Sequence, residues 1–185
     1  DIFYVDLLKG VKGLKIELNG IWEFRRLGEE QYLPATVPGS VYHDLLNNNK
    51  MPDPFYRDNE DEVLKLSGFD YEYKTRFQMN NLDFANIDLV CDGIDTLAEI
   101  YMNQKFVAST KNMHRGYEFS IKEFVHIGEN EIRIILRSPN SYIAQRQEQE
   151  PLRVCDDFMD GCAHLRKAHY MFGWDWGPSL PDLGI

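Results

Sequence analysis

The sequence predicts an all-β fold: an antiparallel β-sandwich or jelly roll, with a short helix near 41–47 and a long irregular C-terminal loop region. Three observations predict it. Tyr71 to Met79 alternate bulky and charged residues without a break, which puts Tyr71, Tyr73, Thr75, Phe77 and Met79 on one face of a half-buried strand. Similar short runs recur at close spacing with turn residues between them. Little of the chain carries helical periodicity.

Taken in order, Lys15–Leu18 and Ile21–Arg26 read as two strands around Asn19-Gly20, a strong short-range hairpin signal. Pro34 to Pro38 is extended. Ser40 then reads as the N-cap of a short helix from Val41 to Leu46, ended by Asn47-Asn48-Asn49. The proline-bearing, acidic stretch from Met51 to Glu62 reads as an exposed loop. After the Tyr71–Met79 strand, Ile87–Cys91, Leu97–Met102 and Lys105–Ser109 form three more, the last two joined by a tight turn at Asn103-Gln104. Tyr117–Ile121 and Glu131–Arg137 complete the set, the second preceded by the turn Gly128-Glu129-Asn130. Beyond Ser138-Pro139 the pattern changes. Tyr142–Glu150 reads as a polar helical segment, Asp156–Gly161 as an acidic turn, and the rest of the stretch to Gly184 shows no strand alternation. Ordered stretches of this kind are usually functional.

Composition narrows the function classes. The 185 residues suit one domain, 1–185, long enough to bury a sizeable core. Hydrophobic residues at 43% and charged residues at 27% are ordinary for a soluble globular chain. A formal net charge of −10 argues against a nucleic-acid partner and against an anionic membrane surface. No apolar run approaches the roughly 18 residues that span a bilayer, and Asp1–Leu8 lacks the pattern of a signal peptide. Three cysteines (Cys91, Cys155, Cys162) and the lack of an Asn-x-Ser/Thr sequon point to a reducing, cytoplasmic setting. The apolar ending Leu183-Gly184-Ile185 reads as a cut from a longer polypeptide.

The most informative string is Arg166-Lys167-Ala168-His169-Tyr170-Met171-Phe172-Gly173-Trp174-Asp175-Trp176-Gly177-Pro178. Indole faces suit stacking on the C–H faces of a ring-shaped ligand. An ionised carboxylate only accepts hydrogen bonds, so Asp175 suits a ligand rich in hydroxyl donors. Gly173 and Gly177 permit a tightly bent backbone, and Pro178 stops the segment continuing as helix or central strand. An aromatic face plus an acceptor on a constrained loop is what a sugar site needs. The same residues also suit two core tryptophans with Asp175 capping a turn.

This string resembles the signature of β-mannosidases of glycoside hydrolase family 2, near the end of their N-terminal sugar-binding domain. Leu18-Asn19-Gly20-Ile21-Trp22-Glu23-Phe24 is similar to that family's opening hairpin. Val37-Pro38-Gly39-Ser40-Val41-Tyr42-His43-Asp44-Leu45 is similar to the crossing that follows, and Gly68-Phe69-Asp70-Tyr71-Glu72-Tyr73 to the next strand. The stretch from Asp92 to Asn103 resembles the family's central hairpin, with Gln104 where the family usually has glycine. The early motifs are shared with β-galactosidases and β-glucuronidases; the Trp-Asp-Trp loop is what selects β-mannosidase.

The resemblance implies the non-catalytic N-terminal domain of a retaining exo-β-mannosidase. Its catalytic glutamates would lie on a (β/α)8 barrel of about 250 residues elsewhere in the chain. Trp174, Asp175 and Trp176 would bind the terminal β-mannose of mannobiose, manno-oligosaccharides or N-glycan core fragments. Arg166, Lys167 and His169 would support that loop, the two cations by pairing with nearby carboxylates. No catalytic residue, cofactor or metal is assigned to these 185 residues, and the fragment alone is expected to be inactive. The competing readings are an independent carbohydrate-binding or interaction sandwich, or the same domain of a β-galactosidase or β-glucuronidase.

Other constellations fail on chemistry. Cys155, Cys162 and His164 lack the paired spacing of a zinc site. A calcium loop starting at Asp156 would have Phe158 and Lys167 where oxygen ligands belong. The histidines stand near no nucleophile in a recognisable elbow. Trp22, Tyr71, Tyr73 and Phe77 read as core.

Overall fold

A computed structural model describes residues 2–7, 15–153, 159–175 and 177–185. Among the described residues, twelve short strands, three α-helices and two single 3-10 turns form an antiparallel sandwich with a small appended hairpin. The four-stranded sheet contains β1 (Phe3–Asp6), β2 (Lys15–Glu17), β6 (Asp88–Cys91) and β9 (Tyr117–Ser120), in the order β2-β1-β6-β9. The six-stranded sheet contains β3 (Gly20–Arg26), β4 (Leu33–Val37), β5 (Tyr71–Met79), β7 (Leu97–Met102), β8 (Lys105–Lys111) and β10 (Gly128–Leu136), in the order β4-β3-β5-β10-β7-β8.

The predicted all-β sandwich is therefore the observed one, and period-2 alternation builds its core. Tyr71, Tyr73, Phe77 and Met79 of β5 point inward beside Trp22 and Phe24 of β3 and Ile132, Ile134 and Leu136 of β10. Phe3, Val5 and Leu89 meet them from the other sheet. Trp22 lies edge-on to Phe3, ring centroids 5.5 Å apart, and its indole N–H donates to the Leu18 carbonyl at 2.7 Å.

Three local expectations are corrected, and one strand went unread. Asn19-Gly20 does not turn a hairpin: β2 pairs with β1, whereas β3 pairs with β4 and β5, so these residues carry the chain from one sheet to the other. Gly20 makes the crossing at φ +123°. β1, unread in the sequence, is the central partner of that smaller sheet. The stretch read as an exposed loop ends in α2 (Glu60–Leu66), which buries Val63. Gly128–Asn130, read as a turn, already belongs to β10.

The cap and the tight turn hold. α1 (Val41–Asn47) is capped by Ser40, whose hydroxyl accepts from the His43 amide at 3.3 Å. Asn103 and Gln104 both have positive φ, at 51° and 68°. This is the geometry that a two-residue hairpin of matching twist needs, here without glycine. Asn103 holds it by donating to Asn130 Oδ1 and to the Phe124 carbonyl, both at 2.8 Å.

After β10 comes α3 (Pro139–Gln149), capped by Ser138 with proline in its first turn. The C-terminal residues return to the sandwich. Leu183 to Ile185 exchange backbone hydrogen bonds with Gly39, Val41 and Asp95, and Leu183 and Ile185 are buried.

Candidate functional site

Phe172–Trp174 (β11) and Gly177–Ser179 (β12) form an antiparallel hairpin, with Phe172 opposite Ser179 and Trp174 opposite Gly177. Asp175 follows β11 in the turn of this hairpin. Gly173 sits at φ +107°, a conformation few residues other than glycine adopt, and thereby sets the bend just before Trp174. Trp174 is 44% exposed and Asp175 is exposed. These two are therefore not core residues. Trp176, also expected at the site, lies outside the described residues, as do Cys155, Asp156, Asp157 and Phe158.

Three attachments hold this hairpin. At its root, Phe172 is buried in a small satellite cluster with Ile143 of α3, Cys162 and Leu165. Along β12, the Ser179 amide donates to the Glu60 carboxylate, tying the hairpin to the first turn of α2. Upstream, Lys167 enters the protein with its side chain wholly out of solvent; its ammonium pairs with Asp95 and donates to the Asp182 carbonyl. Burial pulls the Lys167 pKa below the usual lysine range, opposed by the Asp95 charge and hydrogen bond. Burial also raises the Asp182 carboxyl, although that group accepts from the amides of Tyr42 at 2.9 Å and Leu183 at 2.7 Å.

The expected support residues thus divide. Lys167 pairs with a carboxylate as read. Arg166 forms no ion pair among the described residues, because its exposed side chain lies in a cleft toward Lys111 and Arg115. Its main chain does the fastening instead: the Met113 amide donates to the Arg166 carbonyl at 3.0 Å. His169 is exposed and its Nε2 lies 3.2 Å from the Leu165 carbonyl, within the turn that packs on the hairpin. Sequence reading missed Glu60, Asp95 and Asp182. Each acts on a residue at least 15 positions away, so no local pattern marks them.

No group of three or more histidine, cysteine, aspartate or glutamate side chains among the described residues is arranged to hold a metal ion. His164, weighed as a ligand, instead places Nε2 3.0 Å from the Gln147 side-chain oxygen. Cys91 and Cys162 are buried. Among the described residues, no helix is long and apolar enough to cross a membrane.

The architecture is thus an antiparallel sandwich that carries a hairpin with an exposed tryptophan, and the comparisons with known proteins give its family. Residues 22–185 match the family model described as glycosyl hydrolase 2 galactose-binding domain-like, and the chain belongs to that family. It is similar to the beta-mannosidase of Bos taurus, 35% identical over 184 residues, which span 94% of this chain and 21% of that protein. The beta-mannosidase of Capra hircus is 34% identical over 93% of this chain and 21% of its own length. A crystal structure of beta-D-mannosidase from Dictyoglomus thermophilum superposes with a TM-score of 0.87 at 38% identity, covering 91% of this chain and 21% of that one. The chain thus spans about a fifth of the length of these relatives.

Proposed function

We propose that this chain is the sugar-binding domain of a retaining exo-acting β-mannosidase. In this reading the Trp174-Asp175-Trp176 hairpin meets the non-reducing terminal β-mannose at the mouth of a separate (β/α)8 catalytic domain. The observation that carries it is a tryptophan left 44% exposed on a hairpin fixed at root and side. Leaving that much indole in water forgoes burial that most aromatic side chains obtain, and an interaction surface accounts for it. The similarity to beta-mannosidases of Bos taurus, Capra hircus and Dictyoglomus thermophilum supports the choice of sugar.

The chemistry follows from the parts. Indole faces cover the apolar side of the mannose ring, and Asp175 accepts from hydroxyls far from the scissile bond. Binding remote from the reacting centre holds the sugar in position and lowers the barrier on the partner domain. Cleavage with retention needs two carboxyl groups about 5 Å apart, and these are assigned to the catalytic domain. The expected ligands are mannobiose, manno-oligosaccharides and N-glycan core fragments.

The test is Asp175→Ala in the β-mannosidase that carries this domain. Turnover of an aryl β-mannoside is expected to fall by well over tenfold, about the loss of one charge-assisted hydrogen bond in a dry site. Unchanged kinetics would remove Asp175 from the site. The reading of an independent carbohydrate-binding module is separated by titrating the 185-residue chain with mannose and mannobiose. One wall buries far less than the roughly 70–90% of ligand surface that good sites cover, so weak or undetectable binding is expected. Micromolar affinity would favour the independent module.

A further inference from the structure

We infer that this chain carries a second binding site, for a phosphate group, in a cleft that is separate from the tryptophan hairpin. The cleft has a volume of about 440 Å3. It opens where the edge strand of the larger sheet, β8, comes beside the edge strand of the smaller sheet, β9. α3 and the 3-10 turn Cys162–His164 close its remaining side, through Tyr142 and His164.

Its charge is of one sign. Lys111, Arg115 and Arg166 all line it, and no carboxylate does among the described residues. The sequence has 30 acidic and 20 basic residues, so carboxylate partners are plentiful, and eight other lysines and arginines find one within 4 Å. These three find none among the described residues. Arg115 donates only to the neighbouring Gly116 carbonyl, at 3.3 Å, and sits over the Tyr117 ring at 5.0 Å. Three converging cations repel one another, and an anion bound between them relieves that repulsion.

The backbone fixes the cluster. Asn112 and Arg166 form a parallel bridge, so the two cation-bearing segments cannot drift apart. The Asn112 amide donates to the Tyr117 hydroxyl at 3.1 Å, and that hydroxyl donates to the Asn112 carbonyl at 2.9 Å, closing the 112–117 turn. Neutral donors complete the lining: the hydroxyls of Ser109 and Tyr142 and the side-chain amide nitrogen of Asn112 have no hydrogen-bond partner among the described residues. Two guanidinium forks, an ammonium and such donors match the tetrahedral oxygens of a phosphate, which accept several charge-assisted hydrogen bonds at once. The cleft is much larger than one phosphate, so it has room for the sugar of a phosphorylated hexose.

The experiment follows amide shifts of the protein by NMR during titration with inorganic phosphate in low-salt buffer. Separate titrations use mannose 6-phosphate and unmodified mannose. Saturable shifts confined to Ser109–Tyr117 and His164–Arg166 are expected, weakening steeply with added salt. Arg166→Gln should weaken binding about tenfold, one charge-assisted hydrogen bond, and Lys111→Gln/Arg115→Gln/Arg166→Gln should abolish it. All three side chains are exposed, so the variants keep the fold, checked by the dispersion of the remaining amides. Equal affinity for phosphate and ester marks the free ion as ligand; tighter binding of the ester marks a sugar phosphate. Non-saturating shifts spread over the surface, or binding that survives in the triple variant, would overturn the site. Failure here leaves the Asp175 reading untouched, because unmodified mannose is not expected to reach this cleft.

Discussion

Lys167 and Asp95, 72 residues apart in sequence, form an ion pair in which the lysine side chain is fully buried and the aspartate keeps 17% of its surface. The asymmetry sets unequal costs for breaking it. Asp95→Ala leaves a buried ammonium with only a carbonyl partner, a loss of about 3–5 kcal/mol. Lys167→Met keeps the aliphatic stem packed and frees an aspartate that water can reach, so about 1–2 kcal/mol is expected. Urea unfolding of both variants checks the order; a larger loss in Lys167→Met would contradict it.

Glu72 predicts an acid limb to stability. Its side chain is 1% exposed on the outer face of β5, bonded to Arg25 at 2.9 Å, Arg133 at 3.0 Å and the Tyr32 hydroxyl. Burial alone would raise its pKa. The hydrogen bonds from Tyr32 and Arg133, with the charges of Arg25 and Arg133, outweigh burial and hold it below the ordinary 4.5. The unfolded chain then binds the extra proton between those two values. The stabilisation is complete above about pH 4.5 and is lost as pH falls through the lower, folded value. Glu72→Gln should flatten the fall in unfolding free energy below pH 4.5. At pH 7 it should cost about 2–3 kcal/mol, less than a fully buried pair because both arginines reach water. A variant whose acid limb matches the parent's would remove Glu72 as its source.

Trp22 is the largest fully buried side chain of the sandwich, and its indole N–H is committed to the Leu18 carbonyl. Trp22→Ala removes that bond and opens a large cavity, so about 3–5 kcal/mol is expected. Trp22→Phe keeps the edge-on contact with Phe3 but leaves the carbonyl unpaired, costing about 1–3 kcal/mol. Thermal unfolding followed by circular dichroism ranks them.

What the sequence revealed depended on the range of the interaction. Tyr71 to Met79 declared its inward face because pleating alone alternates side chains, and Ser40 declared itself as a cap because its partner is three residues away. Asn19-Gly20 misled because the bend a glycine allows is the same whether the next strand pairs with the last or departs to another sheet. Glu72 sits on the charged half of the alternation, which gives no sign of burial. It is buried because Arg25 and Arg133, from the two neighbouring strands, close over it. At the hairpin, the residues proposed to meet the sugar were readable from their types. Those that hold it, Asp95 and Glu60, were fixed only by tertiary contacts across 72 and 119 positions.

Those holding contacts give a way to disturb the hairpin without touching its tip. Gly173 at φ +107° precedes Trp174 directly, so Gly173→Ala strains the backbone by about 1–2 kcal/mol and turns the indole away from its present direction. Glu60→Ala acts from the other strand: it leaves the Ser179 amide to water and loosens β12, with about 1 kcal/mol or less lost from the fold. If the hairpin works by preorganisation, both variants should lower kcat/KM of the proposed parent β-mannosidase more than their small stability losses explain. Each leaves Asp175 and both tryptophans chemically intact. Gly173→Ala should reduce kcat as well as affinity, because a misdirected indole misplaces the bound sugar. Glu60→Ala should act mainly on KM, since a looser hairpin can still reach its working position and loses binding energy in doing so. Equal activity in all three proteins would mean that the hairpin's rigidity contributes nothing, whatever its tip binds.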